Sequence, residues 1–484
     1  MADIHWFPWS AVPFARARAG RKPVLLSIVT GWSGACRTMD ETSYADPAVV
    51  AVVNDRFIPV RVDADRRPDI SERYSLGGWP TTAFLTSDGS LVGGGTFVPQ
   101  DRFAAVLSRA ADTFAARGDA LALGARQAVE AGPAQPGRAP SDDEVLRAVL
   151  ATVDEANGGF GTAPKFPLAA PVRVMLQRHQ DEPGEDTLRI ATRSLDAMGW
   201  SALYDEAGGG FHRCTSDAAW LEPQREKLLE VNAALMDLYV EAAHLLGVQR
   251  YADRARDALT YVQNWLAEPV DGGWGGYEQA ASGEDLEGPR EVAPRVDRTL
   301  FSGVNGSMVS TALHLAHAFE DDALGRFALT SLERVLAICY RPGQGVAHYV
   351  ERQARVGSFL DDQFHVAAAC LDAHDATGNI VYEMMAQELA LYAMRALWSA
   401  EHGAFVDRVG GEGAEALGRL AEPLVPFVAN CDAAAVLHRL ALTTNNLEFA
   451  RTAESVLASM APHAIGQGPA AAHYLLARRV ARTR

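Results

Sequence analysis

The sequence predicts two domains of different fold class, an α/β domain followed by an all-α domain. Three observations lead to this prediction. A short apolar, β-branched segment at residues 22–29 is followed by a loop and then by helical spacing, which is the pattern of strand, loop and helix. A stretch rich in glycine and proline, residues 132–140, interrupts the chain. Beyond it, apolar residues recur at three- and four-residue spacing almost to the C-terminus, which indicates helices.

The loop after the first strand, residues 32–36, has the sequence Trp-Ser-Gly-Ala-Cys, a Trp-Cys-Gly-Pro-Cys redox motif whose first cysteine is replaced by serine. Downstream, residues 77–80 (Gly-Gly-Trp-Pro) precede a second apolar strand, where thioredoxin folds place a cis-proline against the active-site loop. These two motifs in register predict a thioredoxin-like fold for residues 1–131. Ser33, Cys36 and Pro80 would be the remnant of its redox site.

Dithiol chemistry needs one thiolate that attacks a disulfide and a second thiol that resolves the mixed intermediate. Ser33 forms no disulfide and is better suited to capping the following helix. Cys36 would occupy the resolving position, so we expect a buried thiol there, with a monothiol role as the alternative. The domain is therefore not expected to be a dithiol oxidoreductase.

Composition excludes several classes of function. The chain has 484 residues, with 44 basic and 61 acidic side chains and a net charge of −17, and no Lys/Arg cluster stands out. Nucleic acids and anionic membranes are poor partners for such a surface. The first residues lack the basic and apolar regions of a signal peptide, so we expect a cytoplasmic protein. The five cysteines are scattered, so neither a disulfide framework nor a metal or cofactor site is indicated, and the oligomeric state is left open.

The second domain, residues 141–484, opens with a capping box at residues 141–144 and carries a loose internal repeat, a glycine-rich turn that ends in an aromatic residue. Its copies, some of them degenerate, are residues 158–161, 208–211, 272–275, 345–349 and 403–405. The intervals of about fifty to seventy residues suit one helical hairpin each. Hairpins of this size can close into an (α/α) toroid. An open solenoid is the alternative, and the irregular length of the units disfavours it.

Several segments resemble the thioredoxin-domain-containing proteins related to spermatogenesis-associated protein 20, and the resemblance covers nearly the whole chain. The most specific segments are Gly-Gly-Trp-Pro at residues 77–80 and Ala-Pro-Lys-Phe-Pro at residues 163–167. Supporting segments include residues 40–44, 60–63, 208–211, 220–223 and 359–362. The resemblance implies a thioredoxin-like domain followed by a six-hairpin, glycosidase-like toroid, a shape shared with sugar epimerases and hydrolases. It implies no particular reaction.

The chain also departs from that family's pattern in both domains. Residues 33–37 read Ser-Gly-Ala-Cys-Arg in place of Cys-His-Trp-Cys-His, and residues 223–227 read Pro-Gln-Arg-Glu-Lys in place of Pro-His-Phe-Glu-Lys. Val231, Val304 and Gln363 replace an aspartate, a tryptophan and a tyrosine of the family pattern. Either the substrate has changed or selection for chemistry has been relaxed.

Sugar chemistry requires carboxylates for acid and base catalysis, amides that bind hydroxyl groups, and aromatic rings for stacking. Candidate catalytic residues are Glu226, Asp362 and His365, and candidate ligand-binding residues are Trp220, Asn232, Trp274, Asn305 and Asn430. The polar candidates lie near helix starts, where the competing interpretation is a helix cap. A histidine on an apolar helix can equally be a core residue, and His314 with His317 is interpreted as a surface pair.

Two hypotheses follow. In the first, the toroid binds or processes a carbohydrate-like, polyhydroxylated small molecule with an epimerase-like or hydrolase-like activity, and the thioredoxin-like domain is a structural or regulatory cap. In the second, the protein is a non-catalytic binding or scaffold protein that has lost both chemistries. The missing family histidines favour the second hypothesis. The persistence of Glu226, Asn305 and Asp362 favours the first.

Overall fold

The computed structural model describes residues 3–130, 138–279, 294–352 and 354–482. The chain divides into two compact units, one made of residues 1–135 and 408–424 and the other of residues 136–407 and 425–484. Most of the expected linker at residues 132–140 lies outside the described residues, because only residues 138–140 are described.

The first unit is built around a four-stranded mixed sheet. Its elements are α1 (Ala11–Gly20), β1 (Val24–Val29), α2 (Gly34–Glu41), α3 (Pro47–Arg56), β2 (Ile58–Asp63), α4 (Pro68–Tyr74), β3 (Thr81–Leu85), β4 (Leu91–Gly95) and α5 (Gln100–Glu130), which is interrupted at Arg117. The strand order is β2-β1-β3-β4, with β1 and β2 parallel and the other pairs antiparallel. The Trp79–Pro80 peptide bond at the start of β3 is cis, as the motif predicts.

Both faces of this sheet are buried, which explains the nearly continuous apolar sequence of β1. Val24, Leu26 and Ile28 point into one core cluster, while Leu25 points into the other with Phe57 and Phe103. Successive side chains of a strand alternate between faces, so a single strand contributes to both cores.

Residues 408–424 complete the first of these two cores. Leu420 is buried there with Trp9, Phe14 and Tyr74. The Tyr74 hydroxyl accepts a hydrogen bond from the Arg419 backbone N–H at 2.9 Å. This segment belongs to the first compact unit and not, as predicted from the sequence, to the second domain.

Arg73 fastens the same segment through its guanidinium group. It donates to the carbonyl oxygens of Arg419 and Glu422, each at 2.9 Å. The Trp9 indole N–H donates to the Ala414 carbonyl at 3.0 Å. The first unit therefore depends on residues more than three hundred positions downstream.

The second unit is almost entirely helical. Its helices are α6 (Asp142–Leu150), α7 (Ala169–Asp181), α8 (Glu185–Gly199), α9 (Leu229–Leu246), α10 (Gln249–Tyr261), α11 (Ser302–Phe319), α12 (Asp322–Cys339), α13 (Leu360–Thr377), α14 (Ile380–Ala396), α15 (Phe427–Thr444), α16 (Leu447–Met460) and α17 (Ala471–Arg482). Short strands join them: β5 (Cys214–Thr215), β6 (Pro223–Gln224), β7 (Lys227–Leu228), β8 (Tyr277–Glu278), β9 (Val296–Asp297), β10 (Tyr340–Arg341), β11 (Gly345–Val346), β12 (Tyr349–Glu351), β13 (Ala354–Val356), β14 (Trp398–Ser399) and β15 (Ala404–Phe405).

Six of these helices form an inner ring. Helices α7, α9, α11, α13, α15 and α17 contact one another in that order, and α17 contacts α7 to close the ring. The other six helices pack outside them, each against an inner helix, with α6 against α17. Because inner and outer helices alternate along the chain, all the inner helices run in one direction. The expected (α/α) toroid is thus confirmed for this unit, and the predicted capping box is present, because Ser141 and Glu144 cap α6 reciprocally.

The glycine-rich turns predicted from the sequence precede the inner helices. In the first copy, Gly159 has a φ of +78°, and a Cβ there would lie 2.8 Å from the Trp220 ring. Glycine is required because the turn both needs positive φ and lies against an indole. Among the described residues, no helix is long and apolar enough to cross a membrane.

We predict that Leu420→Ala destabilises the first unit by about 2–4 kcal/mol, because it removes a buried side chain from a core that the N-terminal segment cannot fill alone. Hydrogen exchange of the amides of β1 measures the effect within that unit. Leu442→Ala, at a half-exposed position of α15, is the matched control. Equal exchange in both variants would contradict the assignment of residues 408–424 to this core.

Candidate functional site

One amide side chain holds each of four glycine-rich turns to the inner helix that follows. The Asn305 Oδ1 accepts from the Trp274 N–H at 2.8 Å, and its Nδ2 donates to the carbonyls of Trp274 and Phe301 at 3.0 and 2.9 Å. The equivalent contacts join Asn232 to Phe211 and Leu228, Gln363 to Val346 and Phe359, and Asn430 to Phe405 and Pro426. We call these four side chains the amide staples.

The staples correct the predicted role of Asn232, Asn305 and Asn430. All three are fully buried, and each amide group already bonds to backbone on both its oxygen and its nitrogen. They hold turns to helices and have no free group for a ligand hydroxyl. The position at a helix start was recognised in the sequence, but the partner is the preceding turn.

The two predicted stacking residues are also part of the core. Trp220 and Trp274 are each 1% exposed. The Trp220 indole N–H donates to the Gly158 carbonyl at 3.2 Å, and Trp274 packs edge-on against Phe327. Neither ring is accessible to a ligand.

The lysine of the Ala-Pro-Lys-Phe-Pro segment has a structural role as well. Lys165 is fully buried and pairs with Asp154, while Lys227 repeats the arrangement with Asp205 in the next turn. In both aspartates burial opposes ionisation, but the lysine holds the pKa at about 2. These ion pairs fix the first two turns.

Two of the three predicted catalytic residues are buried and fully engaged. Glu226 accepts from the Arg213 Nε at 2.7 Å. Asp362 accepts from the Gly303 N–H at 3.1 Å and contacts the His348 Nδ1 at 3.0 Å. These contacts correct the expectation that Glu226 and Asp362 face a ligand, since both are at most 3% exposed.

The third predicted catalytic residue, His365, lies on a different face of its helix. It is the sixth residue of α13, two positions beyond the staple Gln363. A step of two residues turns a helix by about 200°, so His365 points away from the stapled turn and into the ring. The second, sixth, ninth and thirteenth residues of each inner helix from α9 to α15 point in this same direction, into the ring.

These positions define four layers of the lumen, the space enclosed by the inner helices. In order from the N-terminal ends, the layers are Glu230, Gly303, Asp361 and Val428; Ala234, Ser307, His365 and Asp432; Asp237, Ser310, Ala368 and Ala435; and Glu241, His314, Asp372 and Arg439. Helices α9 and α13 are not adjacent in the ring, yet charged groups of α13 shift the pKa of Glu230 and Asp237 on α9. The side chains of the two helices therefore face each other across this space.

The lumen is open in its upper layers. Ala234 is exposed, although the residues on either side of it, Ala233 and Leu235, are buried in the helix ring. A methyl group at the centre of a closed ring is exposed only where the ring encloses accessible space. The small side chains of Ser307 and Ala368 at neighbouring positions leave the same space unfilled.

A network of alternating charges crosses the lumen at its deepest layers. The His314 Nδ1 lies 2.7 Å from the Asp237 carboxylate, and its Nε2 lies 3.8 Å from Asp372. Arg439 pairs with Asp372 at 2.7 Å, and Arg173 pairs with Asp237 at 2.6 Å. These contacts join five inner helices and form the floor of the lumen.

Burial alone would lower the pKa of His314, but the carboxylates of Asp237 and Asp372 raise it to about 10. The side chain is therefore an imidazolium ion near neutral pH. The contacts of His314 with Asp237 and Asp372 correct its interpretation as half of a surface pair, because His314 belongs to the floor network.

The upper layers of the lumen contain three titratable side chains that are not part of the floor network. Among the described residues, the side chains of Glu230, Asp361 and His365 form no hydrogen bond or ion pair. Burial raises the pKa of Glu230, and Asp361 raises it further by repulsion. Burial also raises the pKa of Asp361, which Asp362 and Asp432 repel. We call Glu230, Asp361 and His365 the rim triad.

An exposed aromatic ring lies on the α9 side of this triad. Phe166, the aromatic residue of the Ala-Pro-Lys-Phe-Pro segment, is 41% exposed. The Arg213 guanidinium lies 5.7 Å from its ring centroid, and the same guanidinium lowers the pKa of Glu230. Phe166 is thus accessible from solvent, unlike Trp220 and Trp274.

Glu230, Asp361 and Phe166 were not among the site residues predicted from the sequence. The signal was available for the first two, because aligning the inner helices on their staples brings the lumen-facing positions into register. No group of three His, Cys, Asp or Glu side chains suited to a metal ion occurs in the described part of the chain.

The redox remnant lies in the first unit. The Ser33 Oγ caps α2 by accepting from the Cys36 N–H at 3.3 Å. Cys36 is 3% exposed, and burial raises the pKa of its thiol. The Trp32 indole packs edge-on against Trp79, next to the cis Pro80. A buried thiol with a raised pKa is a poor nucleophile.

Known proteins match this chain both in sequence and in the fold of its helical unit. Residues 1–131 match the family Thioredox_DsbH, described as a protein of unknown function, DUF255. Spermatogenesis-associated protein 20 of Mus musculus is 30% identical over 317 residues, which are 60% of this chain and 39% of that protein. The Homo sapiens protein is 30% identical over 321 residues, 60% of this chain and 40% of that one. The chain spans about two fifths of these relatives, and the matches confirm the resemblance stated from the sequence.

Solved structures share the toroid at low identity, which is evidence of fold alone. Cellobiose 2-epimerase from Bacillus thermoamylovorans has a TM-score of 0.52 at 12% identity, covering 64% of this chain and 82% of that one. D-mannose isomerase has a TM-score of 0.53 at 12% identity, covering 66% and 83%. A GH76 alpha-mannanase from Bacteroides thetaiotaomicron has a TM-score of 0.52 at 10% identity, covering 70% and 94%.

We predict that Asn232→Leu lowers the free energy of unfolding by about 2–4 kcal/mol, because it leaves the backbone groups of Phe211 unpaired inside the protein. Glu230→Gln, two positions earlier on the same helix, should change it by less than about 0.5 kcal/mol, since Glu230 is exposed and has no partner among the described residues. Urea denaturation measures both. An equal cost for the two variants would contradict the division into staple and lumen positions.

The floor network predicts a dependence of stability on pH. The pKa of His314 is raised above its ordinary value of 6.5 to about 10. Its contribution is therefore complete below about pH 6.5 and is lost as the pH rises through 10. We expect the stability difference between wild type and His314→Gln to shrink by about 1–2 kcal/mol over that range, a figure discounted because 48% of the side chain is exposed. Denaturant unfolding at several pH values measures it, and a constant difference would contradict the charged state of His314.

Proposed function

We propose that this relative of spermatogenesis-associated protein 20 binds a carbohydrate-like, polyhydroxylated small molecule in the lumen of its toroid. We further propose that residues 1–131, together with residues 408–424, form a thioredoxin-like domain without dithiol chemistry, and that residues 132–140 connect it to the toroid of residues 141–407 and 425–484. The observation that carries the proposal is an open lumen whose upper layers present the rim triad, which has no partner within the described ranges.

The chemistry of the upper lumen suits hydroxyl groups. Carboxylate and imidazole side chains both accept hydrogen bonds from hydroxyls, and they do so best when no protein donor already occupies them. Glu230 approaches from α9, while Asp361 and His365 approach from α13, so a ligand between these helices meets polar groups on two sides.

The surroundings of the triad suit a sugar-sized molecule. The floor network closes the lumen below, which leaves a cup that opens at the N-terminal ends of the inner helices. The exposed ring of Phe166 offers an apolar face of the kind that stacks on a sugar ring. The proteins that share the toroid are named for cellobiose, mannose and mannan, which supports a carbohydrate as the first ligand class to examine.

The rim triad also contains the group types of acid and base catalysis, a carboxyl pair and a histidine. We therefore propose binding in the lumen with proton transfer by the triad as the enzymatic form of the hypothesis. The alternative remains a binding protein without turnover. It is favoured by the structural engagement of Glu226 and Asp362, two of the carboxylates assigned to catalysis from the sequence.

A thermal-shift screen with cellobiose, mannose and mannobiose tests the proposal. A ligand present at a hundred times its Kd should stabilise the protein by about 2.7 kcal/mol. Ala234→Phe places a large ring in the lumen and should abolish that shift while leaving the protein folded, because position 234 is exposed and not packed in the helix ring.

Ala458→Phe, at an exposed position on the outer helix α16, is the matched control and should retain the full shift. Absence of a shift with all three sugars, or a shift that Ala234→Phe leaves intact, would refute binding in the lumen. A ligand that binds and returns chemically unchanged would favour the binding protein over the enzyme.

A further inference from the structure

A cavity of about 750 Å³ lies outside the lumen, where residues of α6, α15, α16 and α17 meet. We call it the outer cavity. All the residues that line it belong to the helical unit, and none of them is an amide staple or one of the lumen-facing residues named above. Pockets that hold small organic molecules have volumes from a few hundred to about 1,000 Å³. The outer cavity is therefore large enough for such a ligand.

Burial distinguishes an inner wall of the outer cavity from its mouth. The inner wall consists of the four lining side chains that are at most 8% exposed, which are His438, Leu457, Ala461 and Tyr474. The charged side chains that line the cavity are all more exposed than these four. A molecule that enters thus passes the charged mouth first and ends against two apolar and two polar side chains.

The two polar side chains of the inner wall have no hydrogen-bond partner in the part of the chain that the structure describes. The His438 Nε2 is closed off from solvent and forms no hydrogen bond. The Nδ1 of the same ring and the Tyr474 hydroxyl form none either. Buried tyrosine hydroxyls usually have a partner, and a buried polar group without one destabilises a protein. Two such groups beside one cavity indicate a partner that enters from outside.

Both groups are uncharged near neutral pH. Burial lowers the pKa of His438, and Arg478 lowers it further, while Glu454 opposes the shift. Burial raises the pKa of the Tyr474 phenol. A neutral imidazole has one nitrogen that donates and one that accepts, and a phenol can do both. A hydroxyl group, which also donates and accepts, is the matching ligand group.

The mouth of the outer cavity is charged but balanced. The Asp142 carboxylate accepts from the Arg478 Nε at 3.4 Å and pairs with Arg482 as well. The charged lining residues are equal in number for each sign, Arg178, Arg478 and Arg482 against Asp142, Asp143 and Glu454. The mouth therefore favours neither a cation nor an anion.

We propose that the outer cavity binds a small phenol without net charge, whose hydroxyl group supplies the partner that His438 and Tyr474 lack. The aromatic ring would pack against the apolar part of the inner wall, which Leu457 and Ala461 provide. The outer cavity is separate from the lumen, so this proposal goes beyond the sugar site and does not depend on it.

Other ligand classes fit the inner wall less well. A sugar carries a hydroxyl on nearly every ring carbon, so several of them would be buried against Leu457 and Ala461 without partners. An aromatic ring without a hydroxyl would leave His438 and Tyr474 unpaired. A charged phenol gains nothing from a mouth with equal numbers of positive and negative groups.

Two uncharged alcohols that differ by one phenolic hydroxyl test the proposal. They are 4-hydroxyphenylethanol and 2-phenylethanol. Titration followed by ligand-observed NMR at about pH 7.5, where an imidazole is uncharged, should show the phenol binding at least about tenfold more tightly. The difference isolates the hydroxyl group, because the rest of the two molecules is identical.

Variants assign this preference to the inner wall. In Tyr474→Phe and in His438→Phe the ratio of the two affinities should fall below about fivefold, and in the double variant it should fall to within about twofold. Both single variants should stay folded, since neither side chain loses a hydrogen bond within the described ranges. Tyr382→Phe is the matched control and should keep the full preference, because the Tyr382 hydroxyl is also buried but donates to Glu333 at 3.2 Å on other helices.

The two blocking variants separate this proposal from the sugar site. Ala458 lines the outer cavity, so Ala458→Phe should weaken binding of the phenol, whereas Ala234→Phe in the lumen should not. The opposite dependence is expected for sugars. If neither alcohol binds, the outer-cavity proposal fails and the sugar site is unaffected.

Several results would overturn the proposal. Equal affinity of the two alcohols would do so, as would a tenfold preference that survives in the double variant or disappears in Tyr382→Phe. Loss of phenol binding in Ala234→Phe would place the phenol in the lumen. Tyramine or 4-hydroxyphenylacetate binding more than about tenfold more tightly than 4-hydroxyphenylethanol would show that charge at the mouth, and not the inner wall, selects the ligand.

Discussion

The toroid depends on one repeated contact, the bond between an amide side chain and the backbone of the preceding glycine-rich turn. Each staple is the fourth residue of an inner helix, from Asn232 in α9 to Asn430 in α15. Because the amide satisfies both an N–H and a carbonyl of the turn, it fixes the rotation of the helix about its own axis as well as its position. That rotation determines which side chains face the lumen. The staples therefore set the register in which four helices contribute to one site.

The same register separates residues that stabilise from residues that can bind. At the level of the floor, His314 and Arg439 balance the carboxylates of neighbouring helices, so the ring is held together from the inside. Above the floor, Ala234 and Ala368 are small, and the rim triad has no hydrogen-bond or ion-pair partner in the part of the chain that the structure describes. Glu230 and Asp361 are exposed to the space above the floor, so their carboxylates can accept hydrogen bonds from a molecule that enters it. The contrast between paired and unpaired carboxylates is the basis of the functional argument.

The sequence was sufficient for the architecture and insufficient for the site. Helical periodicity and the repeated turns predicted the toroid, and the modified redox motif predicted the strand, loop and helix around Ser33. The polar residues at helix starts were recognised. However, the sequence pattern around Asn305 is the same whether its side chain holds a turn or binds a ligand. Only the direction of the side chain distinguishes them. The contact between Arg73 and Arg419 spans 346 positions, and no local pattern in the sequence indicates it.

Binding inside the toroid requires an open lumen, and the accessibility of position 234 shows whether the lumen is open. All five native cysteines are buried and free, so a single introduced thiol can be followed without removing them. We predict that Ala234→Cys reacts in the folded protein with small thiol reagents, faster with a cationic reagent than with an anionic one of equal size. Ala233→Cys, one position away and buried, should stay protected. Equal protection of the two thiols would contradict an open lumen.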